Sequence, residues 1–420
     1  MKELIKPKTI AVIGASNKKS KVGYFLMENL SRFKGKVIPI NLHEKKILGK
    51  KAYKNILYFE KEVDLAIVAI PAEGVEQVVK ECSEKGVKAV IIISAGFSEA
   101  GRKDLEEEIM KIKGEMRVLG PNSFGTVNPY IRLDTTFAKT TPRKGNVAFI
   151  SQSGALWSAI ADLSARENFG FSGFVSLGNM MDVTFEDALE YFENDKNTKT
   201  IVLYIETLKD GRRLMEMAKK CKKKIIAIKA GISEAGIKAA LSHTGSMAGS
   251  YEIYKAGFKQ AGIINAESLQ EAFDKAKYGV VEERKAVIIT NAGGPGTLMA
   301  DYCEENKIEV VKLPRIKFAL PPAWSHGNPI DLMGDAKSGR FKEVFRKIAR
   351  EKFYDLVIVV ITPQKMTDLK NIAHEIVKFK KKSRKKVVAC WMNHEGREIL
   401  ENAKIPNFSE PKRLAEYLRL

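Results

Sequence analysis

Three apolar, β-branched stretches of this chain run straight into a glycine-bearing turn and then into a helical pattern: VIGAS at Gly14, FISQSGAL at Gly154 and ITNAGGPGT at Gly294. A strand that passes through a small-residue turn into a helix opens a βα unit, and such units build parallel sheets covered by helices. The three glycines are 140 residues apart each time. Equal spacing predicts three similar-sized domains, each beginning with its own first strand and helix. The length of 420 residues agrees, because about 150 residues per domain gives two to four compact units.

The rest of the chain keeps the same alternation. Strand candidates are TIAVIG, KVIPI, DLAIVAI and VKAVIIIS early, NVAFIS, TIVLYIE and KIIAIKA in the middle, and AVIITN, DLVIVVIT and KVVACWM late. Polar or charged junctions at TTPRKG (Thr140 to Gly145) and VEERK (Val281 to Lys285) predict domains at 1–140, 146–282 and 286–420. The fold class is α/β, with three consecutive doubly wound parallel-sheet domains.

Composition narrows the partners. Apolar residues make up 45% and charged residues 29% of the chain, a globular balance with no disordered signature. The apolar stretch before Gly14 is too short for a signal peptide, and no run approaches the ~20 residues of a membrane span. A cytoplasmic protein with no membrane partner is expected. Cys82, Cys221, Cys303 and Cys390 are widely separated and suggest neither disulfides nor a metal site. A net charge of +20 favours anionic partners. The densest basic run, KFKKKSRKKV from Lys378 to Val387, reads as a helix end and a solvated turn, since no aromatic-rich motif accompanies it. Nucleic acid is not an expected partner.

A glycine turn before a helix leaves backbone N–H groups and the positive end of the helix dipole facing an anion. Three such turns suggest phosphate chemistry, although any α/β domain needs small residues after its first strand. The first loop, GASNKKSKVG, is not GxGxxG, and its second strand ends in Asn41 where a dinucleotide fold would carry an acid. NAD is disfavoured. Lys18, Lys19, Lys21, Lys45 and Lys46 around it either pair with phosphates of another nucleotide-like ligand or are simply solvated. No GxxxxGKS/T loop occurs, so a nucleoside triphosphate site of that kind is absent.

Of five histidines, His43, His326, His374 and His394 lack polar constellations. His243 differs, standing in SHTGSMAG among Ser242, Thr244, Gly245 and Ser246. That small, hydroxyl-rich setting lets an imidazole project and offers donors to an anion. A histidine that takes up a phosphoryl group must be neutral, with one ring nitrogen bonded so that the other attacks. Glu206, at the carboxyl end of TIVLYIE, is a carboxylate where an α/β sheet presents functional groups. The two either form a relay or have unrelated roles.

Eight motifs then carry a resemblance across nearly the whole chain: VIGAS, SAGFSEAG (Ser94 to Gly101), GPNSFG (Gly120 to Gly125), FISQSGAL, SLGN (Ser176 to Asn179), SHTGS (Ser242 to Ser246), TNAGGPG (Thr290 to Gly296) and GNPIDLMGDA (Gly327 to Ala336). In this order the chain resembles the α subunits of ADP-forming acetyl-CoA synthetases, within the NDP-forming acyl-CoA synthetase superfamily that includes succinyl-CoA synthetase. SHTGS with SQSGAL is the most specific pair.

The resemblance implies a Rossmann-like CoA-binding domain followed by two flavodoxin-like domains of the succinyl-CoA synthetase type. It implies the reaction acyl-CoA + ADP + phosphate giving acid, ATP and CoA, through an acyl phosphate and a phosphohistidine. By motif match His243 is the carrier and Glu206 its orienting carboxylate. The phosphoryl group would be received at helix starts formed by Ser151, Gln152, Ser153, Gly154 and Ala155, and by Gly293, Gly294 and Gly296. Candidates for CoA contact are Gly14, Ser16, Lys21, Ile70, Pro71, Ser94, Gly96, Asn122 and Ser123. The family's ATP-grasp domains are missing from this sequence, which implies a separate ATP-grasp β subunit holding ADP or ATP with Mg2+, in an α2β2 assembly.

Some positions depart from the pattern. Trp157 stands where related chains often carry a smaller residue, and Met180 with Met181 where a more polar pair is expected; they line the acyl pocket or pack. The stretch from Val310 to Pro321 looks short for its domain. Two competing readings are a succinyl-CoA synthetase α subunit, against which TNAGGPG and GNPIDL stand, and a CoA-sensing protein, which would have no use for His243.

Overall fold

A computed structural model describes residues 1–244 and 250–420, the side chains of 240–244 excepted. The chain divides into two compact units, Met1–Ala272 and Phe273–Leu420.

The first unit holds two sheets. Strands β1 (Thr9–Ile13), β2 (Lys36–Ile40), β3 (Leu65–Val68), β4 (Ala89–Ile92) and β5 (Arg117–Leu119) form an all-parallel sheet in the order β2-β1-β3-β4-β5. Helix α1 (Val22–Asn29) follows the first glycine turn. Strands β3 and β4 are buried at every residue, the pattern of strands covered on both faces.

The second sheet is built from β6 (Thr126–Asn128), β7 (Leu133–Asp134), β8 (Lys144–Ser151), β9 (Phe171–Ser176), β10 (Thr200–Ile205), β11 (Lys224–Lys229) and β12 (Ile264–Asn265). Their order is β12-β11-β10-β8-β9-β6-β7, parallel except where the β6–β7 hairpin runs antiparallel along β9. Residues 126–134, read from the sequence with the first stretch, thus pair with the second sheet. Helix α2 (Leu156–Arg166) follows β8, and α3 (Gly211–Lys220) lies between β10 and β11. Asp210 caps α3 by accepting the Arg213 N–H at 2.9 Å, and Lys219 with Lys220 close it against the negative end of its dipole. After β11 come α4 (Glu234–Thr244) and α5 (Tyr251–Ala261).

The second unit contains β13 (Lys285–Thr290), β14 (Glu309–Val310), β15 (Ile330–Asp331), β16 (Leu356–Ile361), β17 (Lys386–Trp391) and β18 (Asn407–Phe408). The sheet runs β14-β13-β16-β17-β18, with β15 also paired to β13, and all its pairs are parallel. Helix α6 (Gly293–Glu305) follows β13. The basic run at Lys378 to Val387 is the end of the helix Leu369–Ser383 and the turn into β17, and Lys380 caps the carbonyls of Ala403 and Lys404. Asp274 anchors the start of this unit through two bonds from Arg413, at 2.9 and 2.8 Å.

One rule recurs in all three sheets. The strand that feeds the glycine turn, β1, β8 or β13, has its next partners on opposite sides, so the chain reverses direction across the sheet beside it. Open α/β sheets form their ligand crevice at that switch point, at the carboxyl ends of the strands. The predicted strands of the sequence all appear, and no described helix is long and apolar enough to cross a membrane. The four cysteines are free, and no metal-holding cluster occurs among the described residues.

Candidate functional site

At the first switch point Gly14 leaves β1 with φ +86°, and a Cβ there would stand 2.3 Å from the Ala69 carbonyl oxygen beyond β3. Gly23 on α1 is equally forced, its Cβ position lying 1.9 Å from the Gly14 oxygen. The helix therefore packs its start directly on the turn, a device the sequence reading missed. The Ser16 hydroxyl accepts the Lys18 N–H at 3.0 Å, and Lys21 is exposed at the start of α1. Ile70 and Pro71 follow β3. Ser94 follows β4 and donates to the Ile70 carbonyl at 2.5 Å. Gly96 has φ +101°, and Asn122 donates its backbone N–H to the Ser94 carbonyl at 2.9 Å. The structure thus gathers the CoA candidates along one edge of one sheet. Ser123 is the exception in orientation, because its buried hydroxyl donates to the Ser176 carbonyl at 2.6 Å, toward the second sheet. Asn41 carries no ribose-binding acid; its amide donates to the Ala15 carbonyl at 2.8 Å and its oxygen accepts the N–H of Glu44 at 2.9 Å.

The second switch point is more enclosed. Ser151 ends β8, and Gln152 follows with its side chain 7% exposed. The Gln152 Oε1 accepts the N–H of Glu206 at 2.6 Å and of Thr207 at 2.9 Å, while Nε2 donates to the Thr207 hydroxyl at 3.1 Å. One amide thereby ties the end of β8 to the end of β10 and sets the main chain of Glu206, itself 7% exposed. Ser151 turns inward and donates to the Ser153 carbonyl at 2.7 Å. Ala155 stands at the start of α2 without a side-chain cap, and the Trp157 and Ser158 N–H groups turn back to the Gly154 and Ala155 carbonyls at 3.0 and 3.3 Å, so what this turn offers an anion is the positive end of the helix dipole. Gly154 is obligatory on packing grounds: a Cβ there would sit 2.4 Å from the Phe124 Cβ. GPNSFG and SLGN close on the same corner, since Leu177 donates to the Ser151 carbonyl at 2.8 Å and Asn179 to the Pro121 carbonyl at 3.0 Å.

Two groups beside this corner were not singled out from the sequence. Asn179 Nδ2 lies within donating distance of Glu99 Oε2 (2.6 Å), Glu106 Oε1 (2.8 Å) and the Ser98 hydroxyl (3.1 Å), which binds SLGN to SAGFSEAG. Burial alone would raise the Glu99 carboxyl, but the bonds from Asn179 and from the Gly96 and Phe97 N–H groups outweigh it and hold it below the usual range. Lys229 ends β11, paired in register with Ile205, and is 5% exposed. Burial pushes its ammonium below the usual lysine range, and the Glu206 charge opposes that shift.

The second unit repeats the clamp. Asn291, the residue after β13, donates to the Thr362 carbonyl at 2.9 Å and to Gln364 Oε1 at 2.6 Å, and its oxygen accepts the Thr362 N–H at 2.9 Å. It joins the ends of β13 and β16 as Gln152 joins β8 and β10. Gly293 and Gly294 open α6 at the surface, and a Cβ on Gly293 would lie 3.1 Å from Asp331 Oδ2. Gly296 is buried against Thr290, 2.8 Å from where its Cβ would stand.

The side chain of His243 lies outside the described residues. The other four histidines are exposed, as are Lys18, Lys19, Lys45 and Lys46. Trp157 is fully buried and stacks on Phe174 at 4.2 Å, and Met180 and Met181 are buried as well. All three pack in the core.

Against known families, residues 8–129 match the CoA binding domain and residues 144–278 the succinyl-CoA ligase like flavodoxin domain. The acetate–CoA ligase (ADP-forming) II subunit alpha of Pyrococcus furiosus is 41% identical, over 97% of this chain and 94% of its own length. The acetate–CoA ligase (ADP-forming) I of Archaeoglobus fulgidus is 39% identical over 98% of this chain, which spans 62% of that longer relative. A solved structure, the dinucleotide forming acetyl-coenzyme A synthetase 1 of Ca. Korarchaeum cryptofilum in complex with phosphate and ADP, aligns with a TM-score of 0.88. It is 36% identical and covers 99% of this chain and 95% of its own.

Proposed function

Because the chain belongs to the family of ADP-forming acetate–CoA ligase α subunits, we propose that it converts acetyl-CoA, ADP and phosphate to acetate, ATP and CoA together with a separate β subunit. The observation that carries the reading is Glu206: a buried carboxylate held by Gln152 at a switch point, beside an uncapped helix start, in a chain that also carries SHTGS.

In this reading residues 1–140 hold CoA, residues 146–282 carry the phosphoryl group and residues 286–420 form a second ligase-like domain. Phosphate attacks the thioester carbonyl and CoA leaves as its thiolate, giving acetyl phosphate. A ring nitrogen of neutral His243 then attacks phosphorus and acetate leaves. Glu206 accepts a hydrogen bond from the other ring nitrogen and stabilises the charge that the imidazole gains. The turn from Ser151 to Ala155, at the positive end of α2, receives the phosphoryl oxygens, with Gly293, Gly294 and Gly296 offering a second such helix start. Finally the phosphohistidine gives its group to ADP. ADP and Mg2+ belong to the ATP-grasp β subunit, and the assembly is α2β2 in the cytoplasm.

The test uses the chain purified with its ATP-grasp partner. ATP formation must depend on acetyl-CoA, ADP and phosphate, and labelled ATP must leave an acid-labile phosphoryl group at position 243. Full activity in His243→Ala, or CoA binding without any label, would overturn the reading. A panel of acyl-CoA thioesters sets the acyl preference, where one methylene changes selectivity by only about 1–3 kcal/mol.

A further inference from the structure

Lys229 is a buried cation that the steps above do not use. Its ammonium donates to the carbonyl of Ala230 and stands 4.7 Å from the centroid of the Tyr254 ring. Tyr254 is bonded in turn to the backbone of Leu208, two residues beyond Glu206. Among the described residues no carboxylate lies within ion-pair distance of Lys229, although it is only 5% exposed. An ammonium withdrawn from water with so few partners is costly and persists where its charge serves something else.

Its surroundings indicate what that is. Ala230 begins the connection from β11 to α4, and Tyr254 lies on α5, so the two contacts of Lys229 flank the stretch of chain that contains His243. Tyr254 on α5 faces the ammonium with its ring, and Glu206 directly follows Ile205, the in-register partner of Lys229 on β10. Among the described residues, Glu206 is the titratable group whose charge acts on Lys229.

We infer that Lys229 is a positioning residue for phosphoryl transfer: its ammonium fixes both roots of the His243 segment and supplies positive charge beside Glu206. The inference rests on the phosphohistidine reading. A cation there keeps Glu206 ionised as the orienting acceptor, and it offsets the negative charge that arrives with the phosphoryl group.

The experiment follows phosphohistidine formation from labelled ATP, by rapid quench across pH 5 to 9 as assay range, in the complex with the ATP-grasp partner. Lys229→Met is expected to slow labelling about tenfold or more at neutral pH and to move the acid limb of the profile to higher pH, because Glu206 then protonates more readily. Lys229→Gln keeps a donor for the Ala230 carbonyl but no charge, and should behave like K229M. Lys229→Arg should restore most of the rate and leave the limb in place. Equal losses in all three variants with no movement of the limb would reduce Lys229 to a packing role and overturn the inference, as would a wild-type rate in K229M or K229Q. Absence of label in the wild-type complex would instead count against the phosphohistidine reading itself.

Discussion

Gln152 holds Glu206 by its main chain, with Oε1 accepting the Glu206 N–H at 2.6 Å inside a site where both residues are 7% exposed. Gln152→Leu would leave the N–H groups of Glu206 and Thr207 buried without that acceptor, at about 1–3 kcal/mol for each group left unpaired. The expected outcome is a lower midpoint of thermal unfolding together with a phosphorylation rate down at least about tenfold. Gln152→Glu keeps an acceptor for both N–H groups but sets a second negative charge beside Glu206. It should hurt labelling more than it hurts folding.

Glu206→Gln preserves volume and a hydrogen-bond acceptor but removes the charge that stabilises an imidazolium. Labelling of His243 should fall about 100-fold or more, while CoA binding, measured by calorimetry, stays within about twofold. A parallel loss of CoA affinity would argue for a general structural role.

Two glycines at helix starts separate packing from phosphate contact. The Cβ of Gly154→Ala would meet the Phe124 Cβ at 2.4 Å, so the variant should lose about 1–3 kcal/mol of stability. At Gly294 nothing lies within 4 Å of the added Cβ. There Ala should be neutral or stabilise by up to about 1 kcal/mol, and any fall in activity reports on the helix start itself. Denaturant melts of both variants decide the matter.

Asp134 gives a pH signature. Burial pushes its carboxyl up to about 6, against the bonds from Thr136 and the charge of Arg32 that pull it down. A carboxyl whose folded value exceeds its unfolded one binds its proton more tightly when folded. Stability is therefore largest below about pH 4 as far as this group is concerned, and is lost as pH rises from about 4 through 6. Asp134→Asn should remove that loss, so its advantage over the wild type should grow across this window and level off above it, to on the order of 2 kcal/mol. A constant difference between the two proteins from pH 4 to 8 would contradict the assignment.

The strands that were legible in the sequence are those with uninterrupted apolar runs, such as DLVIVVIT. FSGFVS was missed because Ser172 and Gly173 break its run, yet Gly173 is needed, its Cβ position being 2.7 Å from the Phe192 ring. The β6–β7 hairpin is too short to leave a period. Glu206 was legible because it is an acid at the end of an apolar strand. Gln152 stands in the expected phosphate turn, and no local pattern reveals that its side chain also serves the main chain of Glu206, a partner 54 residues away. Lys229 was invisible for a different reason. In a chain with 71 lysines and arginines, nothing local distinguishes the one that folding removes from water.

The β6–β7 hairpin precedes the sheet it completes. During synthesis it leaves the ribosome before Phe171–Ser176, the strand it must lie against, has been made. The first five strands have all their sheet partners by then, but the hairpin does not; in the folded chain Thr126 also binds the Leu4 carbonyl at 2.8 Å and Asn128 the Ile5 carbonyl at 3.1 Å. A gene cut at residue 140 would send the hairpin away with the wrong fragment, leaving β9 as an open ladder ready to pair with another chain.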